Sequence, residues 1–144
     1  MGPPIQVVID CADPDRLVEF WGLALGYVPQ PPPEGFASWE DWLRAEGIPE
    51  SDWNSAGSVE DPEGKRPRLY FQRVPERKTI KNRVHIDVNV GGPRGTPLEE
   101  RKPRVAEHVR TLKAAGATVL EEVNERGEHW VVMQDPEGNE FCVQ

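Results

Sequence analysis

Few side chains in this 144-residue chain are equipped to act on a small molecule, and they fall in recognisable places. His85 and Asp87 lie two apart in the run Arg83–Val90, where Arg83, His85, Asp87 and Asn89 alternate with Val84, Ile86, Val88 and Val90. On a strand, alternation sends residues i and i+2 to one face. An imidazole and a carboxylate then stand side by side, an arrangement that suits proton transfer. It equally suits a hydrogen-bonded pair, tied to Arg83, that shapes a polar wall. Cys142 sits in a short apolar run two residues after Glu140, so those two also share a face. A thiol nucleophile needs a base and an electropositive setting; without them Cys142 is a small core residue.

Other residues are weaker candidates. His85-x-Asp87 with His129 imitates the facial triad of iron oxygenases, but a long helical stretch separates its parts. His129 alone reads as a strand-end histidine, and His108 as a surface residue of a helix. Trp39, Trp42 and Trp53 cluster in one segment, either pinning an added helix or forming an aromatic lid over a flat ligand. Five basic residues, Arg73, Arg77, Lys78, Lys81 and Arg83, fill a connecting stretch. Most of that charge reads as a solvated crossover, with Lys81 and Arg83 placed to meet an anionic ligand group.

The elements that position these residues follow from local signals. Ile5–Cys11 is short and β-branched, a strand. Asp13-Pro14 opens a helix whose apolar stripe is Leu17, Phe20, Trp21 and Ala24, and Gly26 ends it. Pro29–Pro33 breaks regular structure. Ser38 with Asp41 starts a second helix striped by Trp39, Trp42 and Leu43, stopped at Gly47. Val59–Asp61 leads into a turn, and Leu69–Val74 leaves it as a strand. The second half opens with the His85 strand from Val84. Thr96-Pro97 with Glu99 predicts a capping box, and Pro103 an interruption of the helix that follows. Val105, Val109 and Leu112 line that helix up to Gly116. Strands follow at Thr118–Val123, Trp130–Gln134 and Phe141–Val143. Asp61-Pro62-Glu63-Gly64 recurs as Asp135-Pro136-Glu137-Gly138, each the pattern of a type I turn with a glycine free to take positive φ. Two halves reading strand, helix, strand, strand, turn, strand point to a duplication.

Composition narrows the partners. Seventeen basic against 25 acidic residues give a net charge of −8, unsuited to a nucleic-acid backbone. No apolar run reaches membrane-spanning length, and no signal peptide pattern opens the chain. Two cysteines are too few for a disulfide scaffold, so the expected compartment is the reducing cytoplasm.

Several segments carry a family likeness. They are Asp13-Pro14 through Phe20-Trp21, Leu25-Gly26, Leu69-Tyr70-Phe71-Gln72, Lys81 through Asp87, and Asp135 through Phe141. Through them the chain resembles the vicinal-oxygen-chelate superfamily of glyoxalases, bleomycin-resistance-type binding proteins and extradiol dioxygenases. The resemblance implies an α+β fold of two βαβββ modules, forming a curved, incomplete barrel with outer helices. Module one covers about 1–76 with an insertion over about 29–55, and module two about 83–144, within one domain. It implies a ligand cavity lined by Gln6, Tyr70 or Gln72, His85, Asp87, Glu140 and Cys142, and it suggests a homodimer. It also implies four metal-ligand positions, which fall here on Gln6, Gln72, His85 and Cys142, with neither expected carboxylate present. The expectation is therefore a protein that binds a small organic molecule without the usual metal. The alternative is a lyase, isomerase or dioxygenase, using a His85/Asp87 acid–base pair or a divalent ion displaced onto His85, Asp87, Glu140 and Cys142.

Overall fold

In the computed structural model, which describes residues 2–144, local signals decide where the first helix begins and ends. The Asp13 carboxylate accepts from the Arg16 N–H, Pro14 takes the first helical position, and Gly26 closes the last turn at φ 66°. This helix, α1 (Pro14–Leu25), belongs to a unit that runs to Arg77, with β1 (Val7–Cys11), β2 (Val28–Pro29), α2 (Trp39–Ala45), a 3-10 helix (Glu50–Ser55), β3 (Ala56–Glu60) and β4 (Leu69–Arg73). A second unit, Lys78–Gln144, contains β5 (Asp87–Val88), α3 (Leu98–Ala114), β6 (Thr118–Glu125), β7 (Glu128–Gln134) and β8 (Glu140–Val143).

The two sheets repeat one plan. Their strand orders are β1-β4-β3-β2 and β5-β8-β7-β6. In each, the first strand pairs in parallel with the last, and the other pairings are antiparallel.

In the first unit Leu17, Phe20, Trp21 and Ala24 of α1 are buried, as are Val59, Leu69 and Phe71 of the sheet. Gly57 lets the backbones approach, since a Cβ there would lie 2.7 Å from Val18 Cγ2. Because side chains alternate, Tyr70 and Gln72 leave from the opposite face, beside their partners Val8 and Asp10. In the second unit Val105 and Leu112 of α3 are buried, with Val88, Val131, Met133, Phe141 and Val143 of the sheet. Asp87, Val132 and Cys142 are paired neighbours on the other face, with Gln134 opposite Glu140.

Both Asp-Pro-Glu-Gly turns form. Gly64 N–H donates to Asp61 O and Gly138 N–H to Asp135 O, each at 2.9 Å. The glycines take φ 67° and 86°, the left-handed region that disfavours a side chain. Each aspartate is buried and accepts the N–H two residues on, and the pattern then diverges. Asp135 binds Asn139 through its N–H and Nδ2, and β8 starts at once. Asp61 binds the Lys65 and Arg66 N–H groups and the Arg66 guanidinium, so the first hairpin is longer.

Several local expectations differ from the structure. The alternating run from Val84 yields only Asp87–Val88 as strand, and Val84 is 83% exposed. As the edge strand it can pair only along the four residues of β8, with contacts running from Ile86 O to Val90 N. Thr96 does not cap α3: its hydroxyl donates to Pro93 O, closing the glycine-rich loop, and Pro97 holds the cap position. Pro103 leaves α3 unbroken, because it lies in the second turn and forfeits only one bond, to the carbonyl of exposed Glu99. α2 starts at Ser38 as its spacing requires, with the hydroxyl accepting from Asp41 N–H, but no residue of it is buried.

Candidate functional site

Parallel pairing of β5 with β8 places Asp87 opposite Cys142. His85 lies two residues before Asp87, and its Nε2 is 3.2 Å from Asp87 Oδ1. One ligand atom from each of His85, Asp87 and Cys142 falls within 4.8 Å of the other two. The imidazole and carboxylate are about half exposed, so their attraction contributes little to stability. Cys142 is 8% exposed. Burial, then the charge of Asp87, push its thiol up, with Lys81 pulling the other way. The trio thus presents a neutral thiol, a carboxylate and an imidazole to one small volume.

Glu140 shares the sheet face but not the trio. Its carboxylate accepts from Asn82 N–H at 3.0 Å and from Lys78 Nζ at 3.2 Å, and Asn82 Nδ2 donates to its carbonyl. Burial opposes its charge, yet these donors outweigh burial and hold the carboxyl below its ordinary range. The anticipated four groups reduce to three. Arg83 is exposed and joins no ion pair among the described residues, so the Arg83 tie to the His85–Asp87 pair does not form.

In the first unit Gln6, Tyr70 and Gln72 share the face turned away from α1. Gln6 Oε1 accepts from Arg68 Nη1 at 2.7 Å, and Gln72 Nε2 donates to Asp10 at 2.8 Å. The Arg68 guanidinium stands 5.4 Å from the Tyr70 ring centre. Trp39 and Trp42 meet edge to face at 5.7 Å, and Trp39 Nε1 donates to Gln30 O. Trp53 is pinned separately, to Ile48 O and beneath Arg44.

Sequence reasoning missed two features. Arg68 drew no notice in its polar setting, and Val132 and Gln134, paired with Cys142 and Glu140, were read only as strand. Their alternation with buried Val131 and Met133 was the available signal. A cleft of about 670 Å³ in the second unit, lined by Asn89, Arg94, Arg101 and His129 among others, includes none of the trio. His129 itself is buried and bonded to Asn124 through Nδ1, which suits a structural histidine.

Of the four positions for a divalent ion, His85 alone offers a strong donor, and the other three are compromised. The Gln6 oxygen already faces a guanidinium, which repels a second cation. Gln72 is turned to Asp10, and Cys142 is a protonated thiol. A hard divalent ion needs anionic oxygen to replace its hydration, and this set supplies none. The residues do not fit such an ion.

Among solved structures, the chain is similar to a glyoxalase/bleomycin resistance protein/dioxygenase family enzyme from Burkholderia phytofirmans PsJN. The identity is 18%, with coverage of 96% of this chain and 94% of that one, and the TM-score is 0.61. It is also similar to a variant of the fosfomycin resistance protein FosX from Listeria monocytogenes, solved with Mn(II) and 1S,2S-dihydroxypropylphosphonic acid. There the identity is 11%, the coverage 100% and 90%, and the TM-score 0.63. A third is TioX from Micromonospora sp. ML1, at 16% identity, 99% and 97% coverage and TM-score 0.55. At such identities the likeness establishes the fold, an α+β arrangement of two four-stranded mixed sheets with helices and no closed barrel. No curated protein matches the chain. Residues 6–144 match the glyoxalase-like domain family, and the chain belongs to it, within the vicinal-oxygen-chelate superfamily.

Proposed function

We propose that this glyoxalase-like protein binds a small organic molecule against the open sheet face of its second unit, over His85, Asp87 and Cys142, without the four-ligand metal of its superfamily. The observation that carries this is the pairing of buried Cys142 with Asp87 and His85, ligand atoms within 4.8 Å, where a metal-binding carboxylate would be needed. A polar trio beside Val132 and Gln134 offers directed hydrogen bonds on a partly apolar floor, the composition of a small-molecule site. Elemental analysis of the purified protein, with His85→Ala as control, should find no stoichiometric manganese, iron or zinc. A compound screen read by NMR should shift the His85 and Cys142 signals; metal lost in the variant would overturn the reading. Cys11 and Cys142 form no disulfide among the described residues, in keeping with a reducing cytoplasm, and a homodimer would be read by sedimentation.

One observation favours a second reading, an enzyme of the lyase, isomerase or dioxygenase type with a displaced metal. Ligands about 2.0–2.3 Å from a zinc ion lie roughly 3.3–3.8 Å apart in a tetrahedron. The 3.2 Å His85–Asp87 separation and the 4.8 Å bound on the trio are near that spacing. Cobalt(II) titration tests it: a thiolate-to-cobalt charge-transfer band, abolished in Cys142→Ser, would support the enzyme. Without metal, His85 and Asp87 remain as a candidate acid–base pair.

A further inference from the structure

Two arginines are half-buried among the described residues, Arg68 and Arg101. Arg101 faces a carboxylate, Glu128 at 2.9 Å. Arg68 does not. Its Nη1 donates to Gln6 Oε1, and its Nη2 to Gln30 Oε1 and to Ser58 Oγ, all neutral acceptors. This happens in a chain with eight more acidic than basic residues, so carboxylates are not scarce. A partly desolvated cation with no carboxylate in direct contact is open to an anionic ligand.

The surroundings fix how that group would approach. Ser58 Oγ also donates to Gln30 Oε1 at 2.7 Å, so the side-chain amide meeting the guanidinium is itself held, while the Gln30 main-chain carbonyl accepts from Trp39 Nε1. Three of the five N–H groups of Arg68 are engaged, which leaves two. Arg101 Nε is the one buried, unpartnered side-chain polar atom among the described residues, so the unpartnered Nε–H of Arg68 keeps contact with solvent. Beside them on the same face lie Tyr70 and its partner Val8, a valine 48% exposed. Two acids share this face: Asp10, four β4 positions away along the strand, about 13 Å at 3.3 Å per residue, and bonded to Gln72, and Glu60, two residues beyond Ser58 on β3, which forms no ion pair with Arg68 among the described residues.

We infer that Arg68, oriented by Gln6, Gln30 and Ser58 above Tyr70 and Val8, is a recognition site of the first unit for a small organic anion, an oxyanion joined to an apolar body. A carboxylate or phosphonate oxygen would accept from the free Nε–H, while its hydrocarbon part covers Tyr70 and Val8. The inference concerns the first unit alone and does not depend on the His85–Asp87–Cys142 trio.

The test uses the full chain, labelled with nitrogen-15, titrated with phenylphosphonate, benzoate and the uncharged benzyl alcohol. Both anions should shift the Arg68 Nε–H signal and the Tyr70 and Val8 amides, and bind about tenfold or more tightly than benzyl alcohol. Arg68→Gln should lose that preference, and Arg68→Lys should keep only part of it, because an ammonium lacks the planar fork. Lys65→Gln, at an exposed cation paired with Glu63, should leave binding unchanged. Thermal melts confirm that the variants fold, and Arg68→Lys keeps the charge if Arg68→Gln does not. Equal binding of benzyl alcohol and the anions, an unmoved Arg68 Nε–H signal, or undiminished binding by Arg68→Gln would each overturn the inference. Failure of the second-unit reading would appear instead at His85 and Cys142.

Discussion

Replacing Asp135 with alanine should unstitch the turn that delivers β8 to its place. The Asp135 residue is 2% exposed, and its carboxylate accepts from Glu137 N–H at 2.9 Å and from Asn139 N–H and Nδ2 at 3.0 Å. Hydrogen bonds to a charged acceptor contribute about 1.5–3 kcal/mol each, net of water. Glu137 and Asn139 are partly exposed, so water replaces part of each lost bond. Counting about 1 kcal/mol for each of the three bonds gives a loss of roughly 3 kcal/mol. For a chain of this size that corresponds to a fall of about 6–12 °C in Tm. Urea and thermal unfolding measure the loss, and Asp135→Asn, which keeps one acceptor oxygen, should fall between. The site should respond too, since β8 carries Cys142 opposite Val132 and Asp87. Alkylation of Cys142 should accelerate in Asp135→Ala. A loss under about 1 kcal/mol, with unchanged alkylation, would refute the argument that this buried carboxylate sets the hairpin.

Three further outcomes follow from named contacts. Gly57→Ala should destabilise the first unit by about 1–3 kcal/mol through overpacking, because the new methyl meets Val18 Cγ2, and Val18→Ala should recover much of it in the double variant. The Arg66 guanidinium, against the cost of burial and aided by three N–H groups, holds the Asp61 carboxyl well below the usual carboxylate range. A depressed folded value stabilises above the unfolded one, near pH 4, and that stability is lost as pH falls further toward the folded value. Denaturation followed from pH 6 to 2 should thus show a shallower acid loss in Asp61→Asn than in the unsubstituted protein. Burial and Asp87 push the Cys142 thiol up, so its iodoacetamide rate should rise only above the ordinary cysteine range, and Asp87→Asn should bring that rise to lower pH.

What could be read in advance was mostly local. Asp13, Pro14 and Gly26 act through neighbours within one helical turn, and the repeated turns act within five residues, so type and spacing were enough. His85 and Asp87 were legible as a pair because strand alternation is also local. Their meeting with Cys142 depends on parallel pairing between strands with α3, β6 and β7 between them, which leaves no mark in either segment. Glu140 looked available because its captors, Lys78 and Asn82, come from a connecting stretch with no regular pattern. Arg68 was invisible for a different reason. Its distinction is a ring of neutral acceptors, Gln6, Gln30 and Ser58, which come from separate segments and meet only in three dimensions.

The shared strand order also bears on how the chain must assemble. In each unit the first strand made is the one that waits longest, since Val7 meets Leu69 and Asp87 meets Cys142, each more than fifty residues away. Hairpins β3–β4 and β7–β8 can zip early, but β1 and β5 have no hydrogen-bonding neighbour until those hairpins exist. Closing so long a loop is entropically slow. During synthesis the His85–Asp87 segment therefore emerges as a bare edge, and it acquires its sheet only when the final hairpin arrives to receive it.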